Sequence, residues 1–187
     1  MDKLTIISGP CVIEDKSLIF DICDYLKEIT DKLNVNFIFK SSFDKANRSS
    51  INSFRGPGIN KGLEILSELK QKYKVQVLTD IHETNQAKLA AEVVDVIQIP
   101  AFLSRQTDLL IAAADEAIHK GKIINIKKGQ FLAPWDMKQV VNKLIEKGID
   151  PSSNKIWLTE RGNSFGYNTL VVDFRSLIEL RQFKCPV

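Results

Sequence analysis

The sequence predicts an α/β fold built on a parallel sheet, and three observations point there. Short apolar runs alternate with amphipathic stretches of helical period along the whole chain. The runs are near-continuously apolar, where a sheet with one wet face would alternate, so they belong to strands covered on both sides. Nearly every run also ends in polar residues: Cys11 and Glu14, Lys40 and Ser42, Asp80 and His82, Gln98, then Lys127, Lys128 and Gln130, then Glu160 and Arg161. An open doubly wound sheet and a (β/α)8 barrel both fit the rhythm but place ligands differently. Polar side chains at the carboxyl ends of many strands are the barrel pattern, because a barrel gathers those ends at one mouth. No G-x-G-x-x-G or G-x-x-x-x-G-K-[ST] follows the first strand to support a nucleotide crevice. The expected fold is a TIM-type (β/α)8 barrel, with about six of its units in this chain. Residues 1–187 are read as a single barrel domain lacking the last two units.

Taken in order, a strand over residues 4–11 leads into a helix over 16–33. A second strand covers 35–40, and a helix over 60–73 carries Leu63, Ile65, Leu66 and Leu69 on one face. Strand 75–80, helix 84–92, strand 93–99, helix 107–120 and strand 122–128 continue the alternation. The charged stretch 115–122 reads as longer than the neighbouring elements need. Pro134 opens a helix reaching residue 147, where Gly148 is a stop signal; strand 155–162 and helix 170–183 complete the series. Trp135 and Trp157 are expected to pack, one at a helix start and one within a strand.

Composition limits the partners. The chain is 44% hydrophobic and 26% charged, and its net charge is only +3 from 26 basic and 23 acidic residues. That small excess gives no case for nucleic acid or an anionic membrane, so any basic character is local. Three cysteines without C-x-x-C spacing argue against a disulfide framework or a closed zinc module. No stretch approaches the roughly 18 apolar residues of a membrane span, and the N-terminus lacks a signal peptide's apolar run. A reducing cytoplasm is the expected compartment.

The most informative segment is the long connection after the second strand, which holds Lys40, Ser42, Asp44, Lys45, Asn47, Arg48, Ser49 and Arg55 and closes on Gly56-Pro57-Gly58. A loop of this length is functional or disordered, and Phe43, Ile51 and Phe54 are placed to pin it to a scaffold. At a barrel mouth, Lys40, Lys45, Arg48, Lys127 and Arg161 would form a like-charge cluster best explained by phosphate-bearing ligands with more than one anionic group. Lys128, adjacent to Lys127 and so on the opposite strand face, is expected at the surface. Cys11 at the end of the first strand is either a metal ligand or a small buried apolar group. Cys23, among Phe20, Tyr25 and Leu26, belongs to the core. His119 falls at the charged end of a helix, where the dipole favours it; His82 either faces the site or supports it.

At these residues the chain resembles the 3-deoxy-D-manno-octulosonate 8-phosphate synthases. The resemblance rests on GPCVIE at 9–14, FKSSFDKANRSS at 39–50, RGPG at 55–58, LTDIHE at 78–83, DVIQIPAFLSRQTDLL at 95–110, NIKKGQFLAPWDM at 125–137 and TERGNSFGYNTLVVD at 159–173. It covers essentially the whole chain, and KANRSS differs from the K-P-R-T-S pattern of the related 3-deoxy-arabino-heptulosonate 7-phosphate synthases. The resemblance implies condensation of phosphoenolpyruvate with D-arabinose 5-phosphate and water, releasing phosphate, on the way to an inner-core sugar of lipopolysaccharide.

The same resemblance implies roles. Lys40, Ser42 and Lys45 match positions that hold the phosphoenolpyruvate carboxylate; Lys127 and Arg161 match its phosphate ligands, assisted by backbone near Ala101. Asp44, Asn47, Arg48 and Ser49 match the arabinose 5-phosphate side, and Lys40, Lys45, Asn47, Arg48 and Lys127 form the implied catalytic set. Gln98 and Gln130 match polar pocket positions, and Arg105 matches a residue that the family's homotetramer lends to a neighbouring subunit. Cys11 resembles the class dependent on a divalent metal (Zn, Mn, Fe or Co), whose other ligands, a histidine, a glutamate and an aspartate, would lie beyond Val187. As it stands, the chain is expected to hold no metal tightly, to turn over negligibly and to expose strand edges. The alternatives are a non-catalytic remnant or phosphoenolpyruvate-binding module and, after that, a heptulosonate phosphate synthase.

Overall fold

The structure, a computed structural model, describes residues 3–187. Its helices and strands alternate as β1 (Thr5–Ser8), α1 (Lys16–Lys32), β2 (Asn36–Lys40), α2 (Ile59–Tyr73), β3 (Gln76–Asp80), α3 (Thr84–Val93), β4 (Val96–Ile99), α4 (Thr107–Lys120), β5 (Ile123–Lys127), α5 (Met137–Glu146) and β6 (Ile156–Thr159). A short hairpin, β7 (Asn163–Phe165) and β8 (Thr169–Val171), and α6 (Arg175–Arg181) follow. The main sheet runs β1-β2-β3-β4-β5-β6 in strict chain order, and the β1–β2, β2–β3 and β5–β6 pairs are parallel. A doubly wound sheet reverses its strand order at a switch point; this order never reverses, which is the connectivity of a TIM-type barrel.

Two compact units are distinguished: one holds β1 to β3 with Glu92–Val96, the other Ile81–Ala91 and Ile97–Val187. In the first, Asp15 caps α1, its carboxylate accepting from the backbone N–H groups of Ser17 (2.8 Å) and Leu18 (3.1 Å). The Ser17 hydroxyl, ahead of those amides, holds the Asp15 carboxyl below the usual range. Helix α1 buries Ile19 and Cys23, and α2 buries Leu63, Ile65, Leu66 and Leu69, so the i, i+3, i+4 stripe read from the sequence is the core face. The connection over residues 41–58 has no regular element, but only one of its three expected anchors is buried. Phe43 is 1% exposed, while Ile51 is 96% and Phe54 54% exposed.

Phe43 is seated by two glycines. A Cβ on Gly62 would lie 2.4 Å from the Phe43 Cβ, and one on Gly56 (φ +123°) would lie 2.4 Å from the Phe43 carbonyl oxygen. Only hydrogen at those positions lets α2 and the loop approach the Phe43 backbone and Cβ this closely.

In the second unit, β5 and β6 pair with Asn125 opposite Trp157 and Lys127 opposite Thr159. Ile124, Ile126, Ile156 and Leu158 are buried, as are Leu110, Ala113 and Ala114 of α4 and Met137, Val140 and Leu144 of α5. Of the charges in stretch 115–122, Asp115, Glu116 and Lys120 lie in the last turns of α4, which Gly121 ends in the left-handed conformation (φ +67°). Trp157 is half-buried with its ring N–H on Asn154 Oδ1 at 2.9 Å, but Trp135 is exposed, against expectation, because it sits in a short 3₁₀ turn ahead of α5.

The helix expected over 170–183 is shorter by five residues at its start, because Thr169–Val171 instead pairs antiparallel with Asn163–Phe165. Gly166 at φ +57° turns that hairpin. No helix among the described residues is long and apolar enough to cross a membrane.

Candidate functional site

The carboxyl end of β2 builds a polar node. An isolated parallel bridge pairs Val12 with Ser42, and the Ile13 N–H donates to the Ser42 carbonyl at 3.0 Å, so Ser42 is fixed by backbone pairing beyond the strand. Its side chain is fully buried. Lys40 Nζ and Lys45 Nζ each donate to Ser42 Oγ at 2.8 Å, and the hydroxyl donates to Asp80 Oδ1 at the end of β3 in a short hydrogen bond. Two ammonium groups sharing one oxygen lie no farther apart than twice 2.8 Å. Lys40 Nζ also reaches the Cys11 carbonyl at 3.3 Å and Asp80 Oδ1 at 3.8 Å. Like charges held this closely repel; the Asp80 carboxylate offsets part of that repulsion, and the arrangement can take up a further anionic group.

Beyond Lys45 the loop ties itself together. Arg55 grips Asp44 through two parallel bonds of 2.8 and 2.6 Å, and the Lys45 N–H donates to the Arg55 carbonyl at 2.7 Å. Arg48 Nε donates to the Phe54 carbonyl at 3.2 Å; Asn47, Arg48 and Ser49 stand exposed on this loop. Cys11 is exposed, and among the described residues no three His, Cys, Asp or Glu side chains converge to hold a metal ion. One thiol is not a chelate, so the residues here do not amount to the metal site implied for Cys11, and no step below runs through a metal. Cys23 is core as expected, its thiol pushed up to about 12 by burial.

In the second unit, a chain of amides crosses three strands. Gln98 Nε2 on β4 donates to Asn125 Oδ1 on β5 at 2.6 Å, and Asn125 Nδ2 donates to Thr159 Oγ1 on β6 at 2.7 Å. Gln98 Oε1 is buried without a hydrogen-bond partner. Lys127 shares the face of Asn125 and Thr159 and is half-buried; Arg161, two residues beyond β6, is exposed. Gln130 Nε2 reaches Ser164 Oγ at 3.3 Å, and the buried Ala101 turns its carbonyl toward Gly129, where a Cβ would meet it at 3.1 Å. Arg105 lies over the Phe131 ring at 5.3 Å. His82 is half-buried with its backbone N–H on Gln86 Oε1 at 2.8 Å, and His119 is exposed in the last turn of α4.

Lys128 departs from expectation as well. It is on the opposite strand face from Lys127, as its place predicts, but it is 0% exposed. A sheet covered on both faces has no solvent side, so the second face is interior as well. Asp80 and Asn125 are the polar groups that sequence reasoning left without a role. Each acts across neighbouring strands, and only register brings their partners within reach.

Parallel strands in running order, with cations and amides toward and beyond their carboxyl ends, define a TIM-type α/β chain. The sequence model of the DAHP synthetase I family matches residues 1–187, and the chain belongs to that family. It is 55% identical over 186 residues to the 2-dehydro-3-deoxyphosphooctonate aldolase of Fusobacterium nucleatum subsp. nucleatum, covering 99% of this chain and 64% of that one. To the protein of the same name from a Cyanothece species it is 58% identical over 182 residues (97% and 64%), and to that of Campylobacter jejuni 54% over 190 residues (98% and 69%). The chain therefore spans 64% of the length of the Fusobacterium and Cyanothece relatives.

Proposed function

We propose that this chain belongs to a 3-deoxy-8-phosphooctulonate synthase, which condenses phosphoenolpyruvate with D-arabinose 5-phosphate and water. A carbon–carbon bond forms between the enol carbon and the sugar aldehyde, water adds at the neighbouring carbon, and inorganic phosphate leaves. The observation that carries the reading is the convergence of Lys40 and Lys45 on Ser42 Oγ, which forms a rigid, partly desolvated seat for an anionic group. In that role Lys40, Ser42 and Lys45 bind the phosphoenolpyruvate carboxylate, and Asp80 holds the Ser42 proton so that the hydroxyl oxygen faces the lysines. Lys127 and Arg161, with Ala101 backbone, Gln98 and Gln130, are proposed for the phosphate and enol end. Asp44, Asn47, Arg48 and Ser49 are proposed for the sugar phosphate, and Arg105 for a neighbouring subunit's sugar phosphate in a homotetramer.

The relatives' shared name supports the octulosonate reaction. A single barrel domain and a cytoplasmic setting go with this reading. Phosphate release from phosphoenolpyruvate, compared with arabinose 5-phosphate and with erythrose 4-phosphate, tests it. Release that depends on the five-carbon sugar phosphate is the expected result. Preference for the four-carbon sugar would move the assignment to the heptulosonate reaction, and tight phosphoenolpyruvate binding without release would leave a binding module.

A further inference from the structure

The buried Lys128 ammonium lies among five oxygens. Nζ reaches the carbonyls of Gly129 (3.3 Å), Leu132 (3.2 Å) and Gly162 (3.0 Å), Asn163 Oδ1 (2.9 Å) and, as an ion pair, Glu160 Oε1 (3.5 Å). An ammonium has three N–H groups, so five oxygens around it are held by its charge as well as by hydrogen bonds. Glu160 is itself held, its Oε1 accepting the Gly162 N–H at 2.5 Å, and Asn163 Nδ2 donates back to the Leu132 carbonyl at 2.7 Å. Two connections, the one after β5 and the one after β6, thus share a single cation.

We infer that Lys128 is a positioning residue: a tethered monovalent cation in an oxygen cage that fixes Gln130, on the connection that follows Lys127 and the end of β5, relative to Arg161 on the connection after β6. A lysine is a costly way to fill an interior, because an ammonium pays a desolvation penalty that an apolar chain of equal length does not. Its return is geometric, since no apolar side chain can draw three carbonyls and an amide oxygen to one point. The same two connections meet again where the Ser164 N–H donates to the Gln130 carbonyl at 3.0 Å, so the amide of Ser164 reports whether they are held.

The inference rests on the proposed ligand roles of Lys127, Gln130 and Arg161, and the test separates the two. Lys128→Met is compared with Val140→Ala, a core truncation in α5 at a residue that supplies none of the five cage oxygens. Hydrogen exchange at the Leu132 and Ser164 amides, the urea midpoint and phosphoenolpyruvate affinity by calorimetry are read on each. Lys128→Met is expected to speed exchange at both amides and to weaken phosphoenolpyruvate about tenfold, the effect of one lost charge-assisted contact. Val140→Ala should lower the midpoint and leave the affinity unchanged.

Unchanged exchange in Lys128→Met, or an equal loss of affinity in both variants, overturns the positioning role. Should the parent chain bind no phosphoenolpyruvate, the ligand reading fails and exchange alone decides the lysine. Should Lys128→Met not fold, Asn163→Ala removes one cage oxygen and keeps the lysine; faster exchange at Leu132 and Ser164 supports the cage, and unchanged exchange sinks it.

Discussion

Two ammonium donors, a carboxylate acceptor and a backbone bridge meet at Ser42. Removing its oxygen leaves Lys40 and Lys45 without the atom that sets their separation, while Lys40 and Asp80, already 3.8 Å apart, can close directly. Ser42→Ala is therefore expected to weaken phosphoenolpyruvate by about tenfold or more, because the ammonium pair loses its preorganisation. Calorimetry showing unchanged affinity would mean the anion is held elsewhere. A second pair of substitutions separates the two ends of the proposed substrate set. Arg48→Ala should raise the requirement for arabinose 5-phosphate far more than that for phosphoenolpyruvate, and Arg161→Ala should do the reverse, each by roughly tenfold for one charge-assisted phosphate contact. Equal effects on both substrates would dissolve the division.

At the level of elements, the seat of Phe43 yields a prediction whose sign opposes helix propensity. In an ordinary helix interior Gly→Ala stabilises by up to about 1 kcal/mol. In α2, the new methyl of Gly62→Ala would stand 2.4 Å from the Phe43 Cβ, and that ring is 1% exposed with no room to retreat. The expected outcome is a net loss of about 1 to 3 kcal/mol from overpacking, read as a lower urea midpoint at unchanged m, together with weaker phosphoenolpyruvate binding because Phe43 anchors the loop carrying Lys45. A higher midpoint would show that the helix can shift and that the contact is soft.

The same element scale explains what the sequence disclosed. Helix α4 was legible to its last residue, since Leu109, Leu110, Ala113, Ala114 and Ala117 form one stripe and Gly121 ends it. The strand expected over 93–99 begins only at Val96, because Val93 closes α3 and Asp95 turns to pair with Lys70 at 2.8 Å. Periodicity cannot divide an apolar run shared by a helix end and a strand start. The β7–β8 hairpin was hidden in the same way, its apolar Thr169–Val171 running on toward α6. Lys40, Ser42 and Lys45 were readable because they follow one strand end. Asp80, Asn125 and the cage around Lys128 were not, because their partners arrive from other strands or from the folding back of two connections.

On the scale of the whole molecule, the three thiols are placed to ask whether the chain unfolds as the single domain read from its length. Cys11 is exposed, Cys23 is fully buried in α1 of the first unit, and Cys185 is 5% exposed in the second. Burial pushes the Cys23 thiol up to about 12 and the Cys185 thiol up to about 11. Only a thiolate attacks a disulfide reagent, so both should be inert while folded and reactive once opened. Native protein is expected to release one equivalent of reagent promptly, from Cys11, and the other two only as urea rises. If the chain is one cooperative domain, Cys23 and Cys185 become reactive at the same urea midpoint; separate midpoints would make the two units independent folding bodies.

The raised values also fix the direction of a pH dependence. An unfolded thiol ionises near 9 while these remain protonated in the fold, so the unfolded state binds fewer protons above that pH. The stability they contribute is whole below about 8.5 and falls as pH rises from there through 11 toward 12. Cys23→Ser and Cys185→Ser should each flatten that alkaline decline, Cys23→Ser the more strongly because its thiol is shifted further. A urea midpoint that stays level between pH 8 and pH 10 in the parent chain, measured in the same buffer series, would show that neither thiol is shielded in solution as it is in this fold.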